Sequence, residues 1–277
     1  MLGFSFELQD NKKAVLLLHG MTGGPSELMQ FGKFIHKSGY NVYCPVLPGH
    51  CAGVAEVQNT TWQDWHEFAL AQFDKLQQDY EEVYISGICL GAVLAFDVAQ
   101  ERQSEVAAVC GLSTTLFLDG WKVPWYRIFF PLGLYTVLKF FYFFPETEPY
   151  GIKNEKLRKR VAKIINGNST LLDCFPMVNI KELLSISRFL RKNVHKIIAP
   201  LILIHSESDD LTSTKSADFI YKNASSKVKE YLKLNDSYHL IVRDNEKRKV
   251  FEKTVEFFNK ISVKRMIVTY DVPLGEC

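Results

Sequence analysis

A chain of 277 residues, 47% of them hydrophobic, is long enough for one large domain with a sizeable core. Its 33 Lys and Arg against 31 Asp and Glu leave a net charge of only +2, which removes the electrostatic case for nucleic acid. Six scattered cysteines, without Cys-x-x-Cys or His-x-x-x-His spacing, read as reduced thiols, with no metal and no cofactor implied.

Residues 4–8 read as an edge strand and residues 14–18, the first apolar run, as the first core strand. That run is too short for a secretory leader and has no cleavage-like site, so the expected location is the cytoplasm. It leads into His19-Gly20-Met21-Thr22-Gly23-Gly24, a glycine-rich strand-to-helix loop able to aim a backbone N–H at an oxyanion. His19 reads as shaping that loop rather than as a base. An amphipathic stretch at 26–37, a strand at 41–45 and the Leu47-Pro48-Gly49-His50 loop follow, with His50 in a structural role. The helix predicted at 61–78 carries Trp62 and Trp65 on one face, where packing is the expected role.

An apolar run at 83–87 enters Gly87-Ile88-Cys89-Leu90-Gly91, and residues 90–103 read as the helix that leaves it. Strand, tight turn and helix in this order form a nucleophile elbow, here with cysteine at its centre. A residue on so sharp a turn takes a positive φ, and glycines beside it let strand and helix close without a Cβ clash. Cys89 would then stand over the helix N-terminus, where the dipole favours an anion. It is the candidate nucleophile, and the backbone N–H groups of Met21 and Leu90 are the candidate oxyanion hole.

After a strand at 106–112 the βα alternation breaks until about residue 200. The interval is too long for a loop and carries its own helical patterns at 153–166 and 181–193. The basic stretch 153–163 interleaves apolar residues at helical spacing and reads as a solvated helix face. The first part of the interval is rich in aromatics, among them Trp121, Trp125, Phe129 and Phe141. Its longest uncharged run, 128–138, is too short to span a bilayer. The aromatics fit either a small local core or a substrate-binding wall that also offers an interfacial surface for peripheral membrane or lipid contact.

Alternation resumes with strands at 201–206 and 227–234 and amphipathic stretches at 214–222 and 245–260, which together predict a mostly parallel sheet with helices on both faces. His205 lies within a strand run and reads as a core histidine. The loop after that strand holds Glu207, Asp209 and Asp210, and the loop after the last strand ends in Ser237-Tyr238-His239. A histidine there is free to meet the elbow as a base, and an acid on the previous loop can orient it. Glu207 and Asp210 compete with Asp209 for that place.

The order nucleophile, acid, histidine, each after its own strand, identifies the chain as resembling the α/β-hydrolase superfamily, in its monoacylglycerol lipase and bacterial carboxylesterase branch. The resemblance rests on residues 14–25, the Leu47-Pro48-Gly49-His50 loop, Thr61-Trp62-Gln63-Asp64-Trp65, the elbow, the Asp209 loop and Ser237-Tyr238-His239. Departures are Cys89 where the branch carries serine and Cys51 after the loop histidine. The resemblance implies an α/β-hydrolase fold with residues 1–113 and 200–277 as core and 114–199 as a helical cap insertion. It implies a Cys89–His239–Asp209 triad, Asp209 being favoured by its family position. Trp121, Trp125, Phe129 and Phe141 become candidate substrate contacts. The expected substrate is a small-molecule acyl ester or thioester, hydrolysed through an acyl-Cys intermediate. Acyl transfer through the same intermediate, and a catalytically silent lipid-binding relative, are the alternatives; the oligomeric state stays open.

Overall fold

The predicted alternation folds as a seven-stranded sheet of order β1-β3-β2-β4-β5-β8-β9 in a computed structural model that describes residues 3–124, 133, 134, 136, 142–167 and 174–270. The strands are β1 Phe4–Phe6, β2 Lys13–Leu18, β3 Asn41–Cys44, β4 Glu82–Ile88, β5 Val106–Leu112, β8 Leu201–Ser206 and β9 Lys229–Leu234. Only β1, on the edge against β3, runs antiparallel. The helices are α1 Met29–Lys37, α2 Val54–Gln58, α3 Trp62–Asp79, α4 Leu90–Arg102, α5 Glu155–Gly167, α6 Met177–Asn193, α7 Lys215–Asn223 and α8 Lys247–Tyr270. Two short strands, β6 Phe143–Pro145 and β7 Cys174–Pro176, pair apart from the main sheet.

Side-chain alternation builds a core on each face of the sheet. In β2, Leu16 and Leu18 face the cluster covered by α3, α4 and α6, whereas Val15 and Leu17 face that covered by α1 and α8. In β8, Leu201 and Leu203 face the first and Ile202 and Ile204 the second. Buried on both faces, these strands read as continuous apolar runs rather than as alternating ones.

Helix α4 is buried from Leu90 to Gln100, so it runs through the core rather than along the surface. Its buried Asp97 accepts from His66 Nδ1 of α3 at 2.5 Å and from Gln100 Nε2 at 2.9 Å. Helix α6 adds Leu183, Ile186 and Leu190 to the same core, so the last part of the 114–199 interval is a covering helix of the sheet.

Three features were not legible beforehand. Helix α2 is one turn after Gly53 at φ +125°, too short to print a period. Strands β6 and β7 have three residues each. Helix α6 begins at Met177 rather than 181, after Pro176. Among the described residues no helix is long and apolar enough to cross a membrane.

Candidate active site

Strand β4 delivers Cys89 to the top of the sheet on a sharp turn at φ +55°, ψ −116°. The conformation is costly for any L-residue. It is held because Cys89 N–H donates to Leu112 O at 3.1 Å and Val93 N–H to Cys89 O at 3.2 Å. The flanking glycines are required. A Cβ on Gly87 would lie 2.2 Å from Gly91 O, and one on Gly91 would lie 2.0 Å from Leu18 O. Strand and helix thus approach as the sequence spacing predicts.

Beside the turn, Thr115 Oγ1 donates to Cys89 Sγ at 3.4 Å, a partner that sequence reading missed. Thr115 sits on the β5 exit, two residues past Ser113, whose Oγ donates to His239 O at 2.7 Å. One loop therefore touches both the thiol and the histidine loop. The only sequence signal was position, just past a strand carboxyl end, where α/β sheets gather their ligands.

His239 and Asp209 meet as expected. His239 Nδ1–H donates to Asp209 Oδ2 at 2.8 Å and lies 3.0 Å from Oδ1. Asp209 Oδ1 also accepts Leu211 N–H and Thr212 N–H, both at 2.9 Å, so its carboxylate is fixed from two sides. Burial would raise Asp209, but the His239 charge and these hydrogen bonds hold it below the ordinary carboxylate value. Burial likewise opposes a charge on His239, and the charges of Asp209 and Cys89 outweigh it, raising the imidazole well above its usual value. His239 Nε2 has no hydrogen-bond partner.

The competing acids stand elsewhere. Asp210 Oδ1 accepts His239 backbone N–H at 3.3 Å and does not reach the ring, and Glu207 is exposed. His205 is buried and donates from Nε2 to Thr212 O at 3.0 Å, while its Nδ1 meets no partner. It lies 3.6 Å from Asp209 Oδ2, and burial keeps it neutral. Asp244, which sequence reading passed over, accepts Tyr238 N–H at 2.8 Å and Lys153 and Asn154 N–H at 2.7 and 2.8 Å. It thereby ties the histidine loop to the segment above the sheet.

The loop carrying Met21 is equally constrained. His19 accepts Leu47 N–H at Nε2, 3.0 Å, and donates from Nδ1 to Gly20 O, 2.9 Å, fixing the loop that carries Met21. Burial pushes His19 down to about 3, so it stays neutral and shapes the loop without titrating. His50 donates to Pro48 O at 3.0 Å and stacks edgewise between His19 and Trp65. Trp65 is fully buried and Trp62 packs on Phe189, so both are packing residues. Met21 lines the site, and Leu90 N–H is a first-turn donor of α4 with no intrahelical acceptor.

A cavity of about 340 Å³ opens over Cys89 and His239. Leu118, Val123, Pro124, Phe144, Ile180 and Leu183 supply its apolar wall. Trp121, expected there, is 60% exposed and packs on Tyr238, with its Nε1–H on Ser208 O at 3.1 Å. It stands outside the lining, because that bond turns the ring toward the Asp209 loop. Trp125, Phe129 and Phe141 lie outside the described residues.

Cys44 and Cys110 are sealed in the core, where burial raises both thiols, Cys110 to about 11. Cys89 opens on the cavity. Iodoacetamide is therefore expected to alkylate Cys89 well before Cys44 and Cys110. Peptide mapping that finds Cys89 among the slowest thiols removes its assignment.

The family described as serine aminopeptidase, S33 matches residues 9–246. A carboxylesterase of Bacillus subtilis (strain 168) is 24% identical over 257 residues, 92% of this chain and 96% of that protein. A thermostable monoacylglycerol lipase of Bacillus sp. (strain H-257) is 21% identical over 263 residues, 92% and 94% of the two chains. The fold superposes on a soluble variant of Saccharomyces cerevisiae monoglyceride lipase with a TM-score of 0.78 at 14% identity, covering 92% of this chain and 88% of that one. Elbow, acid loop and histidine loop all fall inside the matched span, and the chain belongs to the serine aminopeptidase S33 family, as an α/β hydrolase of the carboxylesterase and monoacylglycerol lipase branch.

Proposed function

We propose that the protein hydrolyses carboxylic esters or thioesters of apolar acyl groups through an acyl-Cys89 intermediate. The observation that carries this is the buried Asp209–His239 pair facing a strained, cavity-lining Cys89. A side chain held at φ +55° and a base with a free Nε2 have no structural purpose in an inert pocket.

In the first step His239 Nε2 accepts the thiol proton and the Cys89 sulfur attacks the acyl carbonyl. The oxyanion is met by Met21 and Leu90 N–H groups. Collapse expels the alcohol or thiol, which takes its proton from His239. Water then attacks the thioester, gives a proton to the same nitrogen, and releases the carboxylic acid as Cys89 regains its proton. Asp209 keeps the proton on Nδ1 and stabilises the imidazolium throughout.

We assign residues 114–176 as the cap and leave α6 with the core, since Leu183, Ile186 and Leu190 pack on the sheet face. Exposed Trp121, Tyr142 and Phe143 on this cap support transient contact with lipid.

The deciding experiment weighs the intact protein after incubation with an acyl ester and an acyl thioester. Free acid with a transient acyl mass on the Cys89 peptide supports the reading. Binding without acylation on either substrate overturns it in favour of a silent relative. Chain length gives a second check. Each added methylene that enters the apolar wall is worth ~0.8 kcal/mol, so kcat/KM should climb from acetyl through medium-chain esters until the cavity is full. A flat series from acetyl to dodecanoyl would show that the wall does not hold the acyl chain.

A further inference from the structure

The cavity over Cys89 carries an excess of acid that the hydrolytic steps do not use. Glu27, Glu146 and Asp210 all line it, whereas Lys122 is the one Lys or Arg among the described lining residues. The Lys122 ammonium already donates to Thr147 O. Glu27 Oε2 and Glu146 Oε2 are shut off from solvent and have no hydrogen-bond partner. The Glu27 carboxyl packs under the oxyanion loop, where a Cβ on Gly23 would fall 1.9 Å from its Cδ. Glu146 follows β6 in the cap. Base and roof of one cavity thus each present an unsatisfied carboxyl oxygen, and leaving such oxygens unmet costs free energy.

We propose that this acidic end of the cavity binds an ammonium group on the alcohol portion of the substrate, so that the favoured esters join an apolar acyl chain to an amino alcohol. The proposal rests on the esterase reading above and names its substrate class. Charge selects a cation over a neutral polyol. Burial, joined by the charges of Asp210 and Glu27, raises Glu146 to about 7 against the opposing pull of Lys122 and His239. Burial also raises Glu27 against Arg243 and His239, and Asp210 against His239 and Lys122. A hydroxyl can satisfy an oxygen lone pair but leaves the carboxylates repelling one another. An ammonium relieves both at once.

The test measures equilibrium binding, so it does not depend on turnover. The probes are 2-(dimethylamino)ethyl hexyl ether, protonated at neutral pH, its uncharged isostere 3-methylbutyl hexyl ether, and glycerol monohexyl ether. The ammonium ether is expected to bind about 10- to 100-fold more tightly than the isostere, the range of a hydrogen bond to a charged group. Glu146→Gln, and Glu27→Gln where it folds, should pull that ratio toward one. A wild-type ratio near one, a ratio unmoved in the variants, or tighter binding of the glycerol ether each overturns the proposal. Failure of the esterase reading would appear separately, as absence of Cys89 acylation by simple esters.

Discussion

Replacing His239 with alanine is expected to slow acylation of Cys89 by about 10²- to 10⁴-fold, the usual worth of a positioned general base, while the fold survives. The fold survives because Asp209 keeps two backbone donors, Leu211 N–H and Thr212 N–H, when the imidazole is gone. His205→Ala should do the reverse. It strips Thr212 O of its buried donor and opens a void in β8, costing on the order of 2–3 kcal/mol of stability, with acylation changed far less. Thermal melts and single-turnover acylation rates of both variants separate the two roles. Equal kinetic losses, with the His239 variant unfolded, would reverse the assignment. The stability gap between wild type and His239→Ala also has a pH signature. Asp209 is lowered in the fold, so its contribution is present above about pH 4, near its unfolded value, and is lost as pH falls through the lower folded value. His239 is raised, so its contribution is full below about pH 6.5 and is lost as pH climbs through the raised folded value. The gap should therefore be widest in mildly acidic solution and narrow on either side.

Much of this site was legible because its parts sit at strand ends, and buried parallel strands print continuous apolar runs. Ala14 to Leu18 leads into the Met21 loop, Val83 to Gly87 into the Cys89 turn, and Leu201 to Ser206 into the Asp209 loop. Asp209 was favoured over Asp210 by its family position alone, and the coordinates add the reason: its carboxylate meets the His239 ring, whereas that of Asp210 meets the His239 backbone N–H. Thr115 and Asp244 were illegible because their contacts depend on the fold, Thr115 to the thiol and Asp244 to Tyr238, Lys153 and Asn154 N–H. Glu27 and Glu146 carry no motif or spacing that singles them out in the sequence. Their Oε2 atoms are buried only in the folded chain, Glu27 against the Gly23 loop. The aromatic run misled for Trp121, since a large ring can cover a neighbouring loop as readily as line a pocket.

Cys89→Ser is expected to keep the fold, to depend more heavily on His239, and to shift preference from thioesters toward ordinary esters. Serine and cysteine differ little in size, and Thr115 Oγ1 can donate to either atom at the elbow. Their chemistry differs more. A thiol loses its proton far more readily than an alcohol, so the serine variant needs the base fully engaged at the moment of attack. On the proposed mechanism the cysteine form passes through a thioester, which is close in energy to a thioester substrate and uphill from a plain alkyl ester. The serine variant forms an ester and reverses that relation. Comparing kcat/KM on matched ester and thioester pairs should show the ratio moving by about tenfold or more, ~1.4 kcal/mol at the transition state. A serine form that is better on every substrate would mean that cysteine is not tuned to this chemistry and would favour a binding role for the pocket. A folded serine form inactive on all of them would make the sulfur indispensable and shift the balance from hydrolysis to acyl transfer, where a thioester that waits for its acceptor is the useful intermediate.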